Sequence, residues 1–195
     1  MTLGMYQMSQ NKACFLDRDG VIIEEVNYLS SPDQVKVFPE AIEALKLLRD
    51  NNYKIIIVTN QAGVARGYFK LTDISLVHDK IDEILSRHNL SIDSYYYCPH
   101  HPKGSVPEYS IECNCRKPMP GMLLEAIDDH NINISKSFLI GDKMSDINAG
   151  KNVNCPGILV KTGHGSEYVK EATINNIIIK DNILEAVEFM VRAKN

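Results

Sequence analysis

The segment Asp17-Arg18-Asp19-Gly20 follows the apolar run Phe15-Leu16, setting two carboxylates two residues apart at the end of a short strand-like stretch. Such a pair can hold a hard cation or exchange protons, but Asp-Gly is also an ordinary turn pair, and on this segment alone the two readings weigh equally. Three further segments tip the balance. Thr59-Asn60-Gln61 closes a second apolar run, Arg116-Lys117-Pro118 precedes a helical pattern that starts at Gly121, and Gly141-Asp142-Lys143 closes another apolar run with Asp146 four residues beyond Asp142. Asp17, Asp19 and Asp142 offer oxygen ligands to a divalent cation, while Thr59 and Lys117 offer a hydroxyl and an ammonium to the oxygens of a phosphoryl group. The set is one for phosphoryl transfer. Asp146 keeps two readings: an acid favoured at a helix N-terminus by the helix dipole, or a group that orients Lys117 or the cation's shell.

A second constellation lies between these segments. Cys98-Pro99-His100-His101 and Cys113-Asn114-Cys115 place three of the five cysteines within 18 residues. In extended backbone, residues two apart project to the same side, so Cys98 with His100 and Cys113 with Cys115 can present four ligands to one zinc ion. His100 has this spacing from Cys98 and His101 does not. Chance clustering is the plainer alternative; a Cys113–Cys115 disulfide would be strongly strained. Four protein ligands leave no open position, so the expected zinc is structural and folds a loop without a core of its own. Cys14 reads as core, and Cys155 has no evident role. His78, His88 and His130 lie on predicted helices as surface or packing residues, and His164, in Gly163-His164-Gly165, sits in an expected turn where it can touch a substrate.

The elements that must carry these groups alternate along the chain as expected for an α/β fold with a mostly parallel sheet. Strands are expected at 13–16, 54–58, 95–97, 137–140, 158–160 and 177–179. Helices are expected at 41–50 behind Pro39, after Thr72 as N-cap, at 121–130, at 146–150 behind Ser145, and at 183–193. Ligands of open α/β sheets bind beyond the carboxyl ends of the strands, which is where the acidic loops fall. The 195 residues, 44% hydrophobic and 24% charged, suit one core, and the net charge of −4 disfavours a broad grip on nucleic acid. We read residues 1–11 as an N-terminal extension and 12–195 as a single domain, with the zinc loop within 98–115. The intervals of 42 residues from Asp17 to Thr59 and 58 from Thr59 to Lys117 leave no room for a separate cap, so the site is expected to be open. The chain shows no membrane-spanning run and no signal-peptide pattern, and is expected to be a cytoplasmic monomer that binds neither nucleic acid nor membrane.

The ordered motifs from Asp17 to Asp146 resemble those of the haloacid dehalogenase (HAD) superfamily of phosphatases, whose Rossmann-like core they imply. By that resemblance Asp17 is the nucleophile that forms an aspartyl-phosphate, and Asp19 is the general acid and then base. Thr59 and Lys117 stabilise the phosphoryl group, and Asp17, the backbone carbonyl of Asp19, and Asp142 hold Mg²⁺. Within the superfamily, Asp-Arg-Asp-Gly, Thr59-Asn-Gln-Ala-Gly-Val-Ala-Arg-Gly67, the zinc loop and Cys115-Arg-Lys-Pro118 are similar to the heptose 1,7-bisphosphate 7-phosphatases, with histidinol-phosphate phosphatases as a sister group. This implies Mg²⁺-dependent removal of the C7 phosphate of D-glycero-D-manno-heptose 1,7-bisphosphate in nucleotide-activated heptose synthesis for lipopolysaccharide or another surface glycan. The alternatives are histidinol-phosphate hydrolysis or a noncatalytic zinc-stabilised binding module. The family's sugar phosphate contacts map onto Glu25, Val26, Asn27, Tyr28, Thr59, Asn60, Gln61, Ala62, Arg116, Lys117 and Lys143. Ala62 stands where the family has serine, and Glu25 and Val26 also depart from its pattern. With no cap, recognition would fall to Asn27, Tyr28, Arg66, Lys103 and Arg116, the last through a planar fork suited to phosphate or vicinal hydroxyls.

Overall fold

The computed structural model describes residues 11–192; most of the expected N-terminal extension, and Ala193 at the end of the last expected helix, lie outside the described residues. Six strands, β1 (Lys12–Leu16), β2 (Tyr53–Asn60), β3 (Ser94–Cys98), β4 (Phe138–Gly141), β5 (Gly157–Val160) and β6 (Ile178–Lys180), form one sheet in the order β3-β2-β1-β4-β5-β6. Every pairing is parallel. Around it lie α1 (Pro39–Asp50), α2 (Leu71–Ser86), α3 (Gly121–Asp129), α4 (Met144–Lys151), α5 (Gly165–Ile174) and α6 (Ile183–Arg192).

Burial on both faces explains why the central strands are uninterrupted apolar runs. Alternate residues serve opposite layers: Cys14, Leu16, Ile55 and Ile57 pack with α1, α2 and α6, through residues such as Leu45, Val77 and Val187. Ala13, Phe15, Ile56 and Val58 pack on α3 through Met122, Leu123 and Ala126. Because β1 has β2 on one side and β4 on the other, the strand order reverses at β1. A crevice opens there at the carboxyl ends, so the loops after β1, β2 and β4 meet.

The expected elements are present with ends shifted by one or a few residues, and two starts are corrected. Helix α2 begins at Leu71 instead of behind Thr72, because the Asp73 carboxylate accepts the Lys70 N–H at 2.7 Å and closes the first turn. Helix α4 begins at Met144 for the same reason: Asp146 accepts the Lys143 N–H at 2.9 Å. Helix α5 was not anticipated. It buries only Gly165 and Ala172, so its apolar stripe is too thin to stand out from a loop.

Candidate active site

Asp17 leaves the end of β1 with its carboxylate buried and its Oδ1 receiving the Arg18 N–H at 2.9 Å. Lys117 reaches it from the loop before α3. The Lys117 ammonium lies 3.0 Å from Asp17 Oδ1 and 2.7 Å from Asp146 Oδ1, and donates to the Val58 carbonyl at 2.6 Å. Its backbone is fixed as well, since the Asn60 side chain donates to the Lys117 carbonyl at 3.1 Å and accepts the Lys117 N–H at 3.0 Å. The end of β2 thereby positions a residue 57 places further along the chain. Both readings of Asp146 meet in one side chain: Oδ2 closes the first turn of α4 and Oδ1 pairs with Lys117.

The charges interlock. Burial pushes the Asp17 carboxyl up, but Lys117 and Lys143, with hydrogen bonds from Lys117 and the Arg18 N–H, outweigh it and hold the group below the usual range. Lys117 is held above its ordinary value, because Asp146 and Asp17 overcome the effect of burial. Asp142 fares differently. Burial, then the neighbouring Asp17 charge, raises it to about 7. Its Oδ2 accepts the His164 N–H at 2.8 Å, while its buried Oδ1 has no hydrogen-bond partner and lies 3.6 Å from the Lys143 ammonium.

Two glycines allow this packing. A Cβ on Gly20 or Gly163 would come within 2.6 or 2.3 Å of Asp142 Oδ2, and both residues have positive φ, +79° and +56°. Oxygen ligands of Asp17, Asp142 and Asp146 lie within 4.8 Å of one another. An all-oxygen donor set that includes an orphaned buried carboxylate oxygen fits a hard divalent cation.

The cavity over these groups measures about 210 Å³. Among the residues picked out from the sequence, Asp17, Asp19, Glu25, Val26, Asn27, Tyr28, Thr59, Asn60, Gln61, Ala62, Lys117 and Lys143 line it, and so does His164. Lys143 pairs with Glu25 at 3.2 Å across the rim, with the His164 Nε2 3.6 Å from the same carboxylate oxygen. Arg116 is placed elsewhere. It lines a neighbouring cavity of about 570 Å³ with His101 and Met119, and its guanidinium donates to the His100 carbonyl at 3.2 Å. Arg66 and Lys103 are likewise not among the lining residues of the smaller cavity; Arg66 lies over the Tyr28 ring, 5.8 Å from its centroid.

The cysteine and histidine donors converge as their spacing suggested. Cys98 Sγ lies 3.0 Å from Cys115 and 3.5 Å from Cys113, and His100 Nδ1 lies 3.4 Å from Cys115. These separations approach the edges of a tetrahedron built on zinc bonds of about 2.0–2.3 Å, and the sulfur-rich donor set suits zinc. Of the two histidines, His100 and not His101 lies in the cluster that could hold the ion. The loop leans on the segment after β2, where Ala65 accepts the Ser105 and Val106 N–H groups at 2.7 and 2.9 Å.

Beneath the acidic groups lie two more buried side chains, of which His78 is the packing residue its helix position allows. Arg18, 1% exposed, forks onto Asp19 and touches His78, which is buried and stacked on Tyr95. His78 lies on the buried stripe of α2, four residues after Ile74 and one after Val77, so of its two readings the packing one holds. Arg18 carried no such signal.

Comparison with known proteins agrees with this geometry. A family model described as haloacid dehalogenase-like hydrolase matches residues 14–91, and an HAD-hydrolase-like model matches residues 114–186. The chain is 43% identical over 182 residues to D-glycero-alpha-D-manno-heptose-1,7-bisphosphate 7-phosphatase of Photorhabdus laumondii, covering 92% of this chain and 100% of that one. It is 38% identical to D-glycero-beta-D-manno-heptose-1,7-bisphosphate 7-phosphatase of Haemophilus influenzae, covering 94% and 99%. The crystal structure of D,D-heptose 1,7-bisphosphate phosphatase from B. bronchiseptica, complexed with magnesium and phosphate, superposes with a TM-score of 0.82 at 27% identity, covering 93% of this chain and 99% of that one. Sheet order, converging acidic loops and full-length relatives thus agree, and the chain belongs to the HAD-like hydrolases as a phosphatase of the heptose-bisphosphate 7-phosphatase family.

Proposed function

We propose that this phosphatase hydrolyses the C7 phosphate of D-glycero-D-manno-heptose 1,7-bisphosphate, within nucleotide-activated heptose synthesis. The observation that carries the reading is the Asp17–Lys117–Asp146 cluster beside the orphaned oxygen of Asp142, under a cavity lined by residues at which this family meets its sugar phosphate. Asp17, Asp142 and the Asp19 carbonyl would hold Mg²⁺, which supplies positive charge to the phosphoryl oxygens and offsets the buried carboxylates.

Asp17, kept ionised by Lys117 and Lys143, attacks phosphorus, and the bond from phosphorus to the sugar oxygen breaks with its electron pair on that oxygen. The sugar oxygen takes the proton of the Asp19 carboxyl and leaves as an alcohol. Asp19, now a carboxylate, draws a proton from water as the water oxygen attacks phosphorus, and the bond to Asp17 breaks, returning free carboxylate and inorganic phosphate. Thr59 and Lys117 hold the phosphoryl oxygens through both steps. Lys117 is suited to this because its ammonium, tied to Asp17, Asp146 and Val58, is already oriented. Glu25 to Tyr28, Asn60 to Ala62 and Lys143 contact the sugar phosphate, with Arg116 reaching it from the adjoining cavity. Cys98, His100, Cys113 and Cys115 bind a structural zinc.

We read residues 12–195 as one catalytic unit, acting as a cytoplasmic monomer; among the described residues no helix is long and apolar enough to cross a membrane. Phosphate release from both anomers of the heptose bisphosphate and from histidinol phosphate tests the assignment. The heptose substrate should give the larger kcat/KM, and a larger value for histidinol phosphate would move the chain to the sister activity.

A further inference from the structure

Arg18 stands between the two carboxylates of the first loop, yet its side chain turns inward and is 1% exposed. Its Nε donates to Asp19 Oδ2 and its Nη2 to Asp19 Oδ1, both at 3.1 Å, so the fork engages both carboxylate oxygens. The remaining arm, Nη1, lies 3.4 Å from His78 Nε2. A guanidinium has no acceptor, so His78 must offer its lone pair at Nε2 and carry its proton on Nδ1. Burial, then the Arg18 charge, pushes His78 down to about 3 and keeps the imidazole neutral. The ring is held by stacking on Tyr95, 4.1 Å between centroids and 15° between planes, and Tyr95 is anchored by a 2.7 Å hydrogen bond from its hydroxyl to Asp82. On its other side Asp19 accepts Gln61 Nε2 at 2.9 Å, and the same amide nitrogen donates to Thr59 Oγ1 at 2.9 Å.

A guanidinium is costly to bury, and a packed apolar side chain would serve stability at least as well. Two parallel hydrogen bonds fix the plane of a carboxylate as well as its position, which a single ammonium contact cannot do. We propose that Arg18, backed by His78, is a positioning residue that fixes the Asp19 carboxyl in the orientation from which it serves the leaving oxygen. Arg18 borders the cavity, but its guanidinium is directed to Asp19 and His78, so it acts through Asp19. The inference rests on the reading of Asp19 as the acid, and it extends the site to a buried line running from Asp82 at the surface through Tyr95, His78 and Arg18 to Asp19.

A substrate pair isolates this role. An alkyl phosphate such as the sugar bisphosphate needs its leaving oxygen protonated, whereas p-nitrophenyl phosphate releases a stabilised phenolate that does not. In kcat/KM, which reports steps up to departure of the leaving group, Arg18→Met should lose on the order of 30- to 100-fold on the sugar phosphate and less than about 3-fold on the aryl phosphate. In an Asp19→Asn background the same substitution should cost nothing further on either substrate. His78→Phe keeps the stacked ring and removes only the acceptor, so it should show the same preference at about 3- to 10-fold and covers the case in which Arg18→Met fails to fold. Equal losses on both substrates, or a full additional loss in the Asp19→Asn background, would make Arg18 merely structural and overturn the inference alone. An Asp19→Asn variant that still hydrolyses the sugar phosphate at the original rate would remove the acid assignment and this inference with it.

Discussion

Two polar clusters approach one another in sequence only where Cys115 precedes Lys117 by two residues, and they are held in different ways. Asp17, Thr59 and Asp142 project from the ends of β1, β2 and β4, whose apolar residues are buried on both faces, so the core fixes the backbone from which they extend. In the cluster of Cys98, His100, Cys113 and Cys115, Cys98 at the end of β3 is fully buried in the core, while Cys113 and Cys115 are half-buried against its edge. From there to Pro120 the chain forms one short helical turn and otherwise irregular loop. The first cluster gathers charge where burial is already secured by strands; the second must supply its own cohesion through side-chain donors. The candidate catalytic groups rest on packing, and the loop has a donor set that a bound metal would tie together.

The sharpest way to separate the clusters is Asp17→Asn. It should abolish turnover, by on the order of 10⁴-fold or more, while leaving zinc content and the fold intact. Phosphate-release assays with metal analysis on the same sample check this, and substantial residual turnover would remove Asp17 as nucleophile. Cys113→Ser attacks the other cluster. It should reduce bound zinc below one equivalent per chain and deprotect the amides of residues 99–117 in hydrogen exchange, with activity down roughly 10- to 100-fold. Amides of β1, β2 and β4 should keep their protection; global loss of protection would show that the loop and the core do not differ as described.

A smaller effect concerns the buried layer under the catalytic cluster. His78 binds its proton at about 3 in the folded chain against an ordinary 6.5. The unfolded chain therefore takes up a proton first as pH falls, so this contribution is complete above pH 6.5 and declines towards pH 3. Between pH 6.5 and 5 the wild type should lose roughly 1.5 kcal/mol through this group. Denaturant titrations of His78→Phe across that window should show a flatter slope, and an unchanged slope would place the acid sensitivity elsewhere. Smallest is the rim. Lys143→Met breaks a partly exposed pair with Glu25, which should change stability by less than about 1 kcal/mol. Its removal should raise KM for the sugar phosphate several-fold, since a phosphate contact is lost.

Much of this was legible in the sequence because strands buried on both faces are continuous apolar runs, as in Lys54–Val58, and because a parallel sheet sends their carboxyl ends to one edge. Same-side spacing likewise separated His100 from His101. What escaped was set by partners distant in sequence. Arg18 has no reading from the sequence until His78, 60 residues away, is placed beside it. Asn60 was read as a substrate contact, and nothing local shows that its amide is also committed to the backbone of Lys117. Arg116 lies next to Lys117 in sequence, yet it turns to the His100 carbonyl and a different cavity. Helix α5 was missed because it contributes so little to the core.

Lys117 belongs to the acidic cluster and lies two residues past the last member of the other. Its backbone is latched by Asn60, its ammonium is shared by Asp17 and Asp146, and Cys115 is only two residues earlier. Two ligands that each favour one placement of the same residue are thermodynamically linked, and the linkage is reciprocal. Occupation of the phosphate site should raise the equilibrium affinity for zinc, read by competition with a chelator, by the same free energy with which zinc tightens phosphate. With zinc bound, the short tether between Cys115 and Lys117 would couple the loop and the pocket into one cooperative binding system.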